Sequence, residues 1–377
     1  MHFRNLTRAF GFWQLAMLLG FFGGENAYAR LEGRFIAASA SISRCSQNHP
    51  RSDCYNAATQ VLDLYLDSRP DRTKRYAGER APVLFSGPRA HLTGHPTEKV
   101  FVLVHSFSKD PSEMETLAAE LSARGHNVFS VLLEGHGTRS ALAGSGGFSL
   151  FDVSRKSWQR DVRFGVDLAK GLGEKIYLVG YSLGGLLSVL EGSQRFPEIT
   201  GFLAIAPPVA INDALFGGAS ACTAKPLLPK GLREIFFRKK EGSGYEKARF
   251  VEYLSGTCEL LTLVTDFNRH GRRAGSTNRA FQMEYVNPPS RIVADEQRVD
   301  FRKLRAPYVL IASRQDDAVD FDTLERLTSL SAGKGTLLES PAVDHGDYGM
   351  AAPGSKDHRV FVEALDRLEQ MGQHPQH

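Results

Sequence analysis

The segment Lys175–Gly185, KIYLVGYSLGG, constrains the fold of this chain more than any other. Ser182 lies between Gly180 and Gly184, after a β-rich apolar run and before apolar residues at helical spacing. A serine on so sharp a strand-to-helix turn needs glycine two residues before and after it, because a Cβ at either position would clash with the returning backbone. The pattern therefore predicts a nucleophile elbow, the alternative being an ordinary strand–turn–helix corner.

Two kinds of apolar pattern alternate along much of the chain. Continuous runs typical of buried strands occur at Val100–Val104, Asn127–Leu133, Lys175–Gly180, Gly201–Ala206, Tyr308–Ser313 and Gly335–Glu339. Helical spacing occurs at Ser112–Arg124, Trp158–Leu172, Phe321–Leu330 and in a final helix that aligns Phe361, Leu365 and Leu368. Because strands that are apolar throughout must be covered on both faces, this alternation predicts an α/β fold with a mostly parallel sheet.

The N-terminal extension, residues 30–95, lacks this alternation. Asp53–Asp67 has a helical pattern, and a charged break follows at Arg69–Arg80. Two short segments, Pro82–Phe85 and Arg89–Leu92, are separated by Ser-Gly-Pro and together predict a short hairpin.

A long insertion interrupts the alternation later in the chain. Residues 208–304 are polar and irregular, with helical patterns at Leu232–Phe237 and Tyr245–Val264. The α/β pattern occupies residues 96–207 before the insertion and residues 305–377 after it. One α/β domain with an inserted segment fits 377 residues as well as two domains do.

Residues 1–29 have the features of a secretory signal peptide. Arg4 and Arg8 precede an uncharged apolar stretch, Phe10–Gly24, and Ala27-Tyr28-Ala29 is a small-x-small cleavage site. The apolar stretch is shorter than the about 20 residues that a membrane-spanning helix needs. We therefore expect an exported protein, periplasmic or extracellular.

Composition and charge exclude several kinds of partner. The chain is 42% hydrophobic and has a formal net charge of +4, which becomes +3 once two arginines and one glutamate leave with the signal peptide. No long Lys/Arg run with interleaved aromatics is present, so a nucleic-acid partner is not indicated. Neither a Cys-x-x-Cys pair nor a His-Glu-x-x-His helix occurs, and we expect no metal and no cofactor.

The four cysteines of the mature chain are Cys45, Cys54, Cys222 and Cys258. An oxidising compartment favours pairing, and three connectivities are possible. Proximity along the chain favours Cys45–Cys54 and Cys222–Cys258, and the alternative is four buried free thiols.

The candidate acid of a catalytic triad follows the predicted strand that comes after the insertion. A serine hydroxyl needs an imidazole to accept its proton and a carboxylate to hold that imidazole, in the chain order Ser, acid, His for this kind of elbow. Asp316 lies three residues past Ser313, at the end of a predicted strand. Asp317 or Asp320 could serve instead, with Asp316 capping the next helix.

The candidate base follows the last predicted strand. His345 lies in a turn that directly follows that strand. His358 precedes a helix, and His374 and His377 lie in the C-terminal tail, so none of these three is as well placed.

An oxyanion hole requires two backbone N–H groups aimed at the developing charge. Leu183 follows the nucleophile and supplies the first candidate. The loop after Val100–Val104 supplies the second, for which we favour Phe107.

Six motifs, taken in order, resemble those of a known family. VLVHSFSKDPSEM, LLEGHGT, WQRDV, GYSLGG, SRQDDAV and DHG are similar to the bacterial carboxylesterase and monoacylglycerol lipase branch of the α/β-hydrolases. The resemblance covers Lys99–Pro207 and Leu304–Gln370 and implies an α/β-hydrolase fold with a cap, here residues 208–304. It implies the following roles: nucleophile Ser182, acid Asp316, base His345, and oxyanion donors Phe107 and Leu183.

One residue departs from the family pattern. The family usually has glycine after the loop histidine, where this chain has Ser106. If that position requires a positive φ, serine is strained there. His136, in Gly135-His136-Gly137, matches the family and is interpreted as a loop-shaping residue.

The expected cap would cover the nucleophile and shape an acyl pocket. Leu232–Phe237 and the basic Arg238–Lys240 are amphipathic. They suggest either a lid edge that rests on anionic lipid or a solvated helix end that packs onto the core.

The leading functional prediction is a serine hydrolase that cleaves carboxylic esters, an acyl glycerol or similar lipid ester, through an acyl-enzyme. An acyltransferase, thioesterase or peptidase would use the same three residues. A non-catalytic exported binding protein is the alternative from another class, although it predicts loss of at least one of the three.

Overall fold

A computed structural model describes a large part of the chain. The described residues are 51–74, 83–84, 88–107, 109–133, 136, 138–139, 155–209, 236–238, 251–253, 260, 299, 301–316, 319–331, 334–342, 345, 348 and 356–372. The predicted signal peptide, most of the insertion and the three cysteines Cys45, Cys222 and Cys258 lie outside them. Among the described helices, none is both long enough and apolar enough to cross a membrane.

The described strands and helices follow the predicted alternation. The strands are β1 (Val83–Leu84), β2 (Arg89–His91), β3 (Thr97–Val104), β4 (Asn127–Val131), β5 (Thr138–Arg139), β6 (Gly173–Tyr181), β7 (Ile199–Ile205), β8 (Phe236–Arg238), β9 (Val251–Tyr253), β10 (Tyr308–Ala312) and β11 (Gly335–Glu339). The α-helices are α1 (Arg51–Lys74), α2 (Glu115–Ala123), α3 (Arg155–Leu172), α4 (Leu183–Gln194), α5 (Phe321–Ser329) and α6 (Lys356–Met371), with 3₁₀ turns at Pro111–Met114 and Phe301–Lys303.

A seven-stranded sheet forms the centre of the described part, in the order β11-β10-β7-β6-β3-β4-β2. The first six strands are parallel, and β2 runs antiparallel at the edge. Every residue of β4 and of β10 is buried, as expected for strands covered on both faces. Because parallel strands end at the same edge, the loops after β3, β6, β10 and β11 share one side of the sheet.

The N-terminal extension packs onto this core through α1. A Cβ at Gly171 of α3 would lie 2.6 Å from the Cys54 carbonyl oxygen and 2.6 Å from the Ala58 Cβ, so glycine permits close contact between the two helices. The Tyr55 hydroxyl accepts a hydrogen bond from the Gly94 N–H at 3.0 Å. Cys54 is buried and disulfide-bonded, and because the other cysteines lie outside the described residues the predicted pairing stays a prediction.

Three local predictions were wrong. The helix predicted at Asp53–Asp67 is present, but the charged break predicted at Arg69–Arg80 is helical as far as Lys74, since arginine and lysine are good helix formers. The hairpin does not form: β1 pairs with β5, and β2 adds to β4. An isolated two-stranded hairpin is marginal, and β2 gains more by extending a large sheet.

The third error lies in the insertion. Of the two segments predicted as helical, Leu232–Phe237 overlaps β8 and Tyr245–Val264 contains β9, and these two strands pair antiparallel. Leu260, in the second segment, is helical as predicted. Short apolar runs fit helix and strand equally well, and the aromatic and β-branched residues here favour strand.

Candidate active site

The turn at Ser182 has the geometry that its glycines predict. Ser182 has φ +50° and ψ −115°, between the end of β6 and the start of α4. A Cβ at Gly180 would lie 2.1 Å from the Gly184 carbonyl oxygen, and one at Gly184 would lie 2.0 Å from the Val104 carbonyl oxygen. Only glycine fits at either position. The Ser182 N–H donates to the Ile205 carbonyl at 2.8 Å, which fixes the turn to β7.

Three of the predicted residues form one hydrogen-bonded chain. Ser182 Oγ lies 2.8 Å from His345 Nε2, and His345 Nδ1 lies 3.0 Å from Asp316 Oδ2. An ionised carboxylate can only accept, so Nδ1 carries the proton and Nε2 is free to accept the serine proton. This arrangement can generate a serine nucleophile.

The Asp316 carboxylate is fully buried and has further donors. The Val319 N–H donates to Oδ1 at 2.9 Å, and the Tyr348 hydroxyl donates to Oδ2 at 2.6 Å. The Tyr348 oxygen in turn accepts from the Ser313 N–H at 2.9 Å. Sequence reasoning missed Tyr348, and its only signal was its position three residues after His345.

The alternative acids and bases lie elsewhere or outside the described residues. Asp320 caps α5 by accepting from the Thr323 N–H at 3.3 Å, the role that the sequence left open for Asp316. His358, on α6, lies 3.6 Å from Glu120. Asp317, His374 and His377 fall outside the described part of the chain.

The candidate oxyanion donors belong to two different elements near the turn at Ser182. Leu183 is the first residue of α4, so its N–H has no partner within the helix. Phe107 lies in the loop after β3. The carbonyls of Val104, which ends β3, and of His105, which begins the loop, pass close to Gly184. Within the described part of the chain, no acceptor occupies either N–H.

His105 fixes the orientation of the peptide that carries the Phe107 N–H. His105 Nε2 accepts from the Leu133 N–H at 3.2 Å, so Nδ1 donates to the Ser106 carbonyl, 2.8 Å away. In a trans peptide the N–H points away from the C=O, so fixing the Ser106 carbonyl also fixes the Phe107 N–H. Burial, together with His136, holds the pKa of His105 well below its usual value, so the ring stays neutral.

Two further expectations about this loop can be compared with the structure. Among the described non-glycine residues, only Ser182 and Ala206 have a positive φ, so Ser106 carries no left-handed strain. His136 Nε2 lies within hydrogen-bonding distance of the Phe107 carbonyl, and its ring contacts those of Phe107 and Trp158. These contacts agree with a loop-shaping role for His136.

A comparison with known families identifies the chain. A model described as "Alpha/beta hydrolase family" matches residues 101–364, well over half of the sequence. The chain belongs to the alpha/beta hydrolase family. The membership of the α/β-hydrolases that the six motifs predicted, and the α/β-hydrolase core that it implied, are thus confirmed. The cap at residues 208–304 and the carboxylesterase and monoacylglycerol lipase branch stay predictions.

Solved structures with this alpha/beta hydrolase fold include lipolytic enzymes. A structure from a study of two metagenome-derived lipolytic enzymes has a TM-score of 0.52 and 18% identity, covering 77% of this chain and 98% of that one. The monoacylglycerol lipase of Paleococcus ferrophilus has a TM-score of 0.52 and 16% identity, covering 76% and 98%. A soluble variant of the Saccharomyces cerevisiae monoglyceride lipase has a TM-score of 0.52 and 14% identity, covering 77% of this chain and 94% of that one. At these identities the likeness concerns the fold.

A curated relative shows 29% identity over 113 residues to this alpha/beta hydrolase. It is the 2-succinyl-6-hydroxy-2,4-cyclohexadiene-1-carboxylate synthase of Salmonella agona (strain SL483). The match covers 30% of this chain and 40% of the relative, less than half of that protein's length.

Proposed function

We propose that this alpha/beta hydrolase cleaves carboxylic esters, an acyl glycerol or similar lipid ester, through an acyl-enzyme. The observation that supports the proposal best is the hydrogen-bonded chain from Ser182 Oγ through His345 to the buried Asp316. It combines a nucleophile, a base and an orienting acid at the carboxyl edge of the sheet.

In the proposed reaction, Ser182 Oγ attacks the ester carbonyl carbon while His345 Nε2 takes the serine proton. The carbonyl oxygen becomes an oxyanion that accepts hydrogen bonds from the Phe107 and Leu183 N–H groups. His345 then protonates the departing alkoxide, and the alcohol leaves. Water, deprotonated by His345, attacks the acyl-enzyme, and collapse of the second tetrahedral intermediate releases the acid and restores Ser182.

Several features support a lipid-like substrate and an exported enzyme without testing either. The three solved structures above are described as lipolytic or monoglyceride lipase proteins. The N-terminal 29 residues have a signal-peptide pattern. Contact between the insertion and a lipid surface stays a prediction, although the amphipathic helix on which it was argued contains strand at Phe236–Arg238.

The test is hydrolysis of p-nitrophenyl esters from acetyl to palmitoyl, together with labelling by a serine-directed phosphonate. We expect one labelled serine, activity that peaks at one acyl length, and a loss of at least about 10³-fold in Ser182→Ala. Ser188→Ala is the matched control, because Ser188 is a second buried serine near the elbow whose Oγ donates to the Gly184 carbonyl at 2.8 Å. It should keep both activity and labelling.

The outcomes separate the alternatives. Labelling of Ser182 without ester hydrolysis would contradict the esterase proposal and direct attention to acyl transfer, thioesters, amides or the synthase chemistry named for the curated relative. Absence of labelling in folded protein would contradict the nucleophile itself and favour a binding protein.

A further inference from the structure

Glu113 lies behind the loop that carries Phe107 and has no role in the reaction as proposed. One carboxylate oxygen, Oε2, accepts from the Ser106 N–H at 2.8 Å, and the other, Oε1, accepts from the Ser106 hydroxyl at 2.9 Å. A half-buried carboxylate thus holds both donors of a single loop residue.

Glu113 stands on a short, well-anchored 3₁₀ turn. Asp110 caps this turn by accepting from the Ser112 N–H at 2.8 Å, and the Glu113 N–H donates to the Asp110 carbonyl at 3.0 Å. Pro111 and Met114 of the same turn are buried. The backbone that carries the Glu113 side chain is therefore held in place.

The remaining polar groups of the loop are also engaged. The Ser106 carbonyl accepts from His105, and the Phe107 carbonyl faces His136 Nε2. Within the described part of the chain, the Phe107 N–H has no acceptor and can donate to a ligand. Its direction depends on the Ser106–Phe107 peptide. His105 holds the carbonyl of that peptide, and Glu113 holds the N–H and the hydroxyl of Ser106, the residue at which the peptide begins.

We propose that Glu113 is a positioning residue: it clamps Ser106 so that the Phe107 N–H stays aimed at the developing oxyanion. The inference rests on the proposed ester hydrolysis. It also gives a reason for serine where the resembling family usually has glycine, because serine has a hydroxyl that donates the second contact of the clamp and glycine has none.

The clamp works in either charge state of the carboxyl group. Burial raises the pKa of Glu113 to about 7, against the two hydrogen bonds from Ser106 and the nearby Lys109, which lower it. A protonated carboxyl can donate to the Ser106 Oγ and still accept from the N–H, because a hydroxyl both donates and accepts. Glutamine can make the same two contacts, whereas alanine can make neither.

The experiment compares Glu113→Ala, Glu113→Gln and Ser106→Ala. Three readouts are measured: kcat and KM on the best p-nitrophenyl ester, the rate of phosphonate labelling, and hydrogen–deuterium exchange of the peptide containing Ser106 and Phe107. We expect Glu113→Ala to lower kcat and the labelling rate about 10- to 100-fold with KM within about twofold, since oxyanion contacts form only in the transition state. Exchange at the Ser106 amide should rise at least about tenfold.

Conservative and matched variants separate positioning from general damage. Glu113→Gln should stay within about threefold of the wild type in every readout, and Ser106→Ala should lose about 3- to 10-fold in kcat. Glu115→Ala is the control, because that carboxylate lies two residues away and pairs instead with Arg89 at 2.9 Å. It should leave kcat and loop exchange unchanged. If Glu113→Ala does not fold, Glu113→Gln and Ser106→Ala still test the clamp.

Two results would overturn the inference: wild-type kcat and exchange in Glu113→Ala, or equal losses in Glu113→Ala and Glu113→Gln. Wild-type protein that neither hydrolyses esters nor reacts with the phosphonate would contradict the proposed function instead. The exchange measurement would then still show whether Glu113 holds the loop.

Discussion

Asp316 shows how this fold keeps a buried charge in place. Its carboxylate is fully buried yet receives hydrogen bonds from the Val319 N–H, the Tyr348 hydroxyl and His345. A buried ionised carboxylate without such donors would be strongly destabilising. Tyr348 has a double role, because its oxygen also accepts from the buried Ser313 N–H.

Tyr348→Phe removes one donor from Asp316 and leaves the Ser313 N–H without its acceptor. We expect the free energy of unfolding to fall by about 1–2 kcal/mol. We also expect kcat to fall about tenfold with little change in KM, because His345 is oriented less tightly. Urea unfolding and ester hydrolysis measure the two effects.

The matched control is Tyr177→Phe. Tyr177 is buried in β6, and among the described residues its hydroxyl has no hydrogen-bond partner. Removing that hydroxyl should leave activity unchanged and stability equal or higher. Full activity in Tyr348→Phe would show that the hydroxyl does not support the triad.

The elbow is the element on which the site depends. The backbone conformation of Ser182 is strained. Such a conformation costs about 1–3 kcal/mol and persists only where the surrounding contacts hold it. The Ser182 N–H donates to the Ile205 carbonyl, and the Leu186 N–H donates to the Ser182 carbonyl at 2.9 Å. One hydrogen bond to β7 and one to the helix after the turn therefore hold this conformation.

The adjacent glycines of α4 allow a sharp test of this element. A Cβ at Gly184 would lie 2.0 Å from the Val104 carbonyl oxygen, whereas a Cβ at Gly185 would meet nothing nearer than 3.1 Å. Gly184→Ala should therefore lower the free energy of unfolding by about 3 kcal/mol or more and abolish activity. Gly185→Ala should cost about 1 kcal/mol or less and keep activity. Urea unfolding measures both variants, and equal midpoints would refute the steric argument.

In the molecule as a whole, an ionic cluster joins segments far apart in sequence. Glu369 on α6 pairs with Lys99 on β3 and lies near Arg124 and His126, which follow α2. The side chains of Glu369 and Lys99 are only 15% and 10% exposed, so solvent screens the pair weakly. His126 and Lys99 lower the pKa of Glu369 to about 2.

This shift predicts a dependence of stability on pH. The folded pKa is lower than the about 4.3 of an unfolded glutamate, so the contribution is complete above that value and is lost as pH falls toward 2. Glu369→Gln should lower the free energy of unfolding at pH 7 by about 1–3 kcal/mol, and the difference from wild type should shrink below pH 4. Urea unfolding at pH 7, 4 and 3 measures it.

Glu363→Gln on the same helix is the control. Glu363 is about half exposed and pairs with Arg367 at 2.6 Å, so the change should stay within about 0.5 kcal/mol at every pH. A pH-independent loss in Glu369→Gln would assign the effect to packing rather than to charge.

Much of this fold was predictable because its signals are local. The glycines around Ser182 and the continuous apolar runs of β3, β6, β7 and β10 fix strand, turn and helix from neighbouring residues alone. The short strands were not predictable in the same way. β2 fits a hairpin as well as a sheet edge, and β8 fits a helix, because a few residues carry too little periodicity to decide.

The same division holds for the candidate site. The sequence pointed to Ser182, Asp316, His345, Phe107 and Leu183, whose catalytic roles remain proposals. The contacts of Tyr348 were not predictable, because they depend on which loops the parallel sheet brings to one edge. Those of Glu113 were not predictable either, because they depend on how the connection after β3 folds back onto Ser106. Chain order and apolar pattern thus determined the fold and the nucleophile turn. Tertiary structure decided the hydrogen-bond partners, since a buried polar group takes whichever donor or acceptor the packing places beside it.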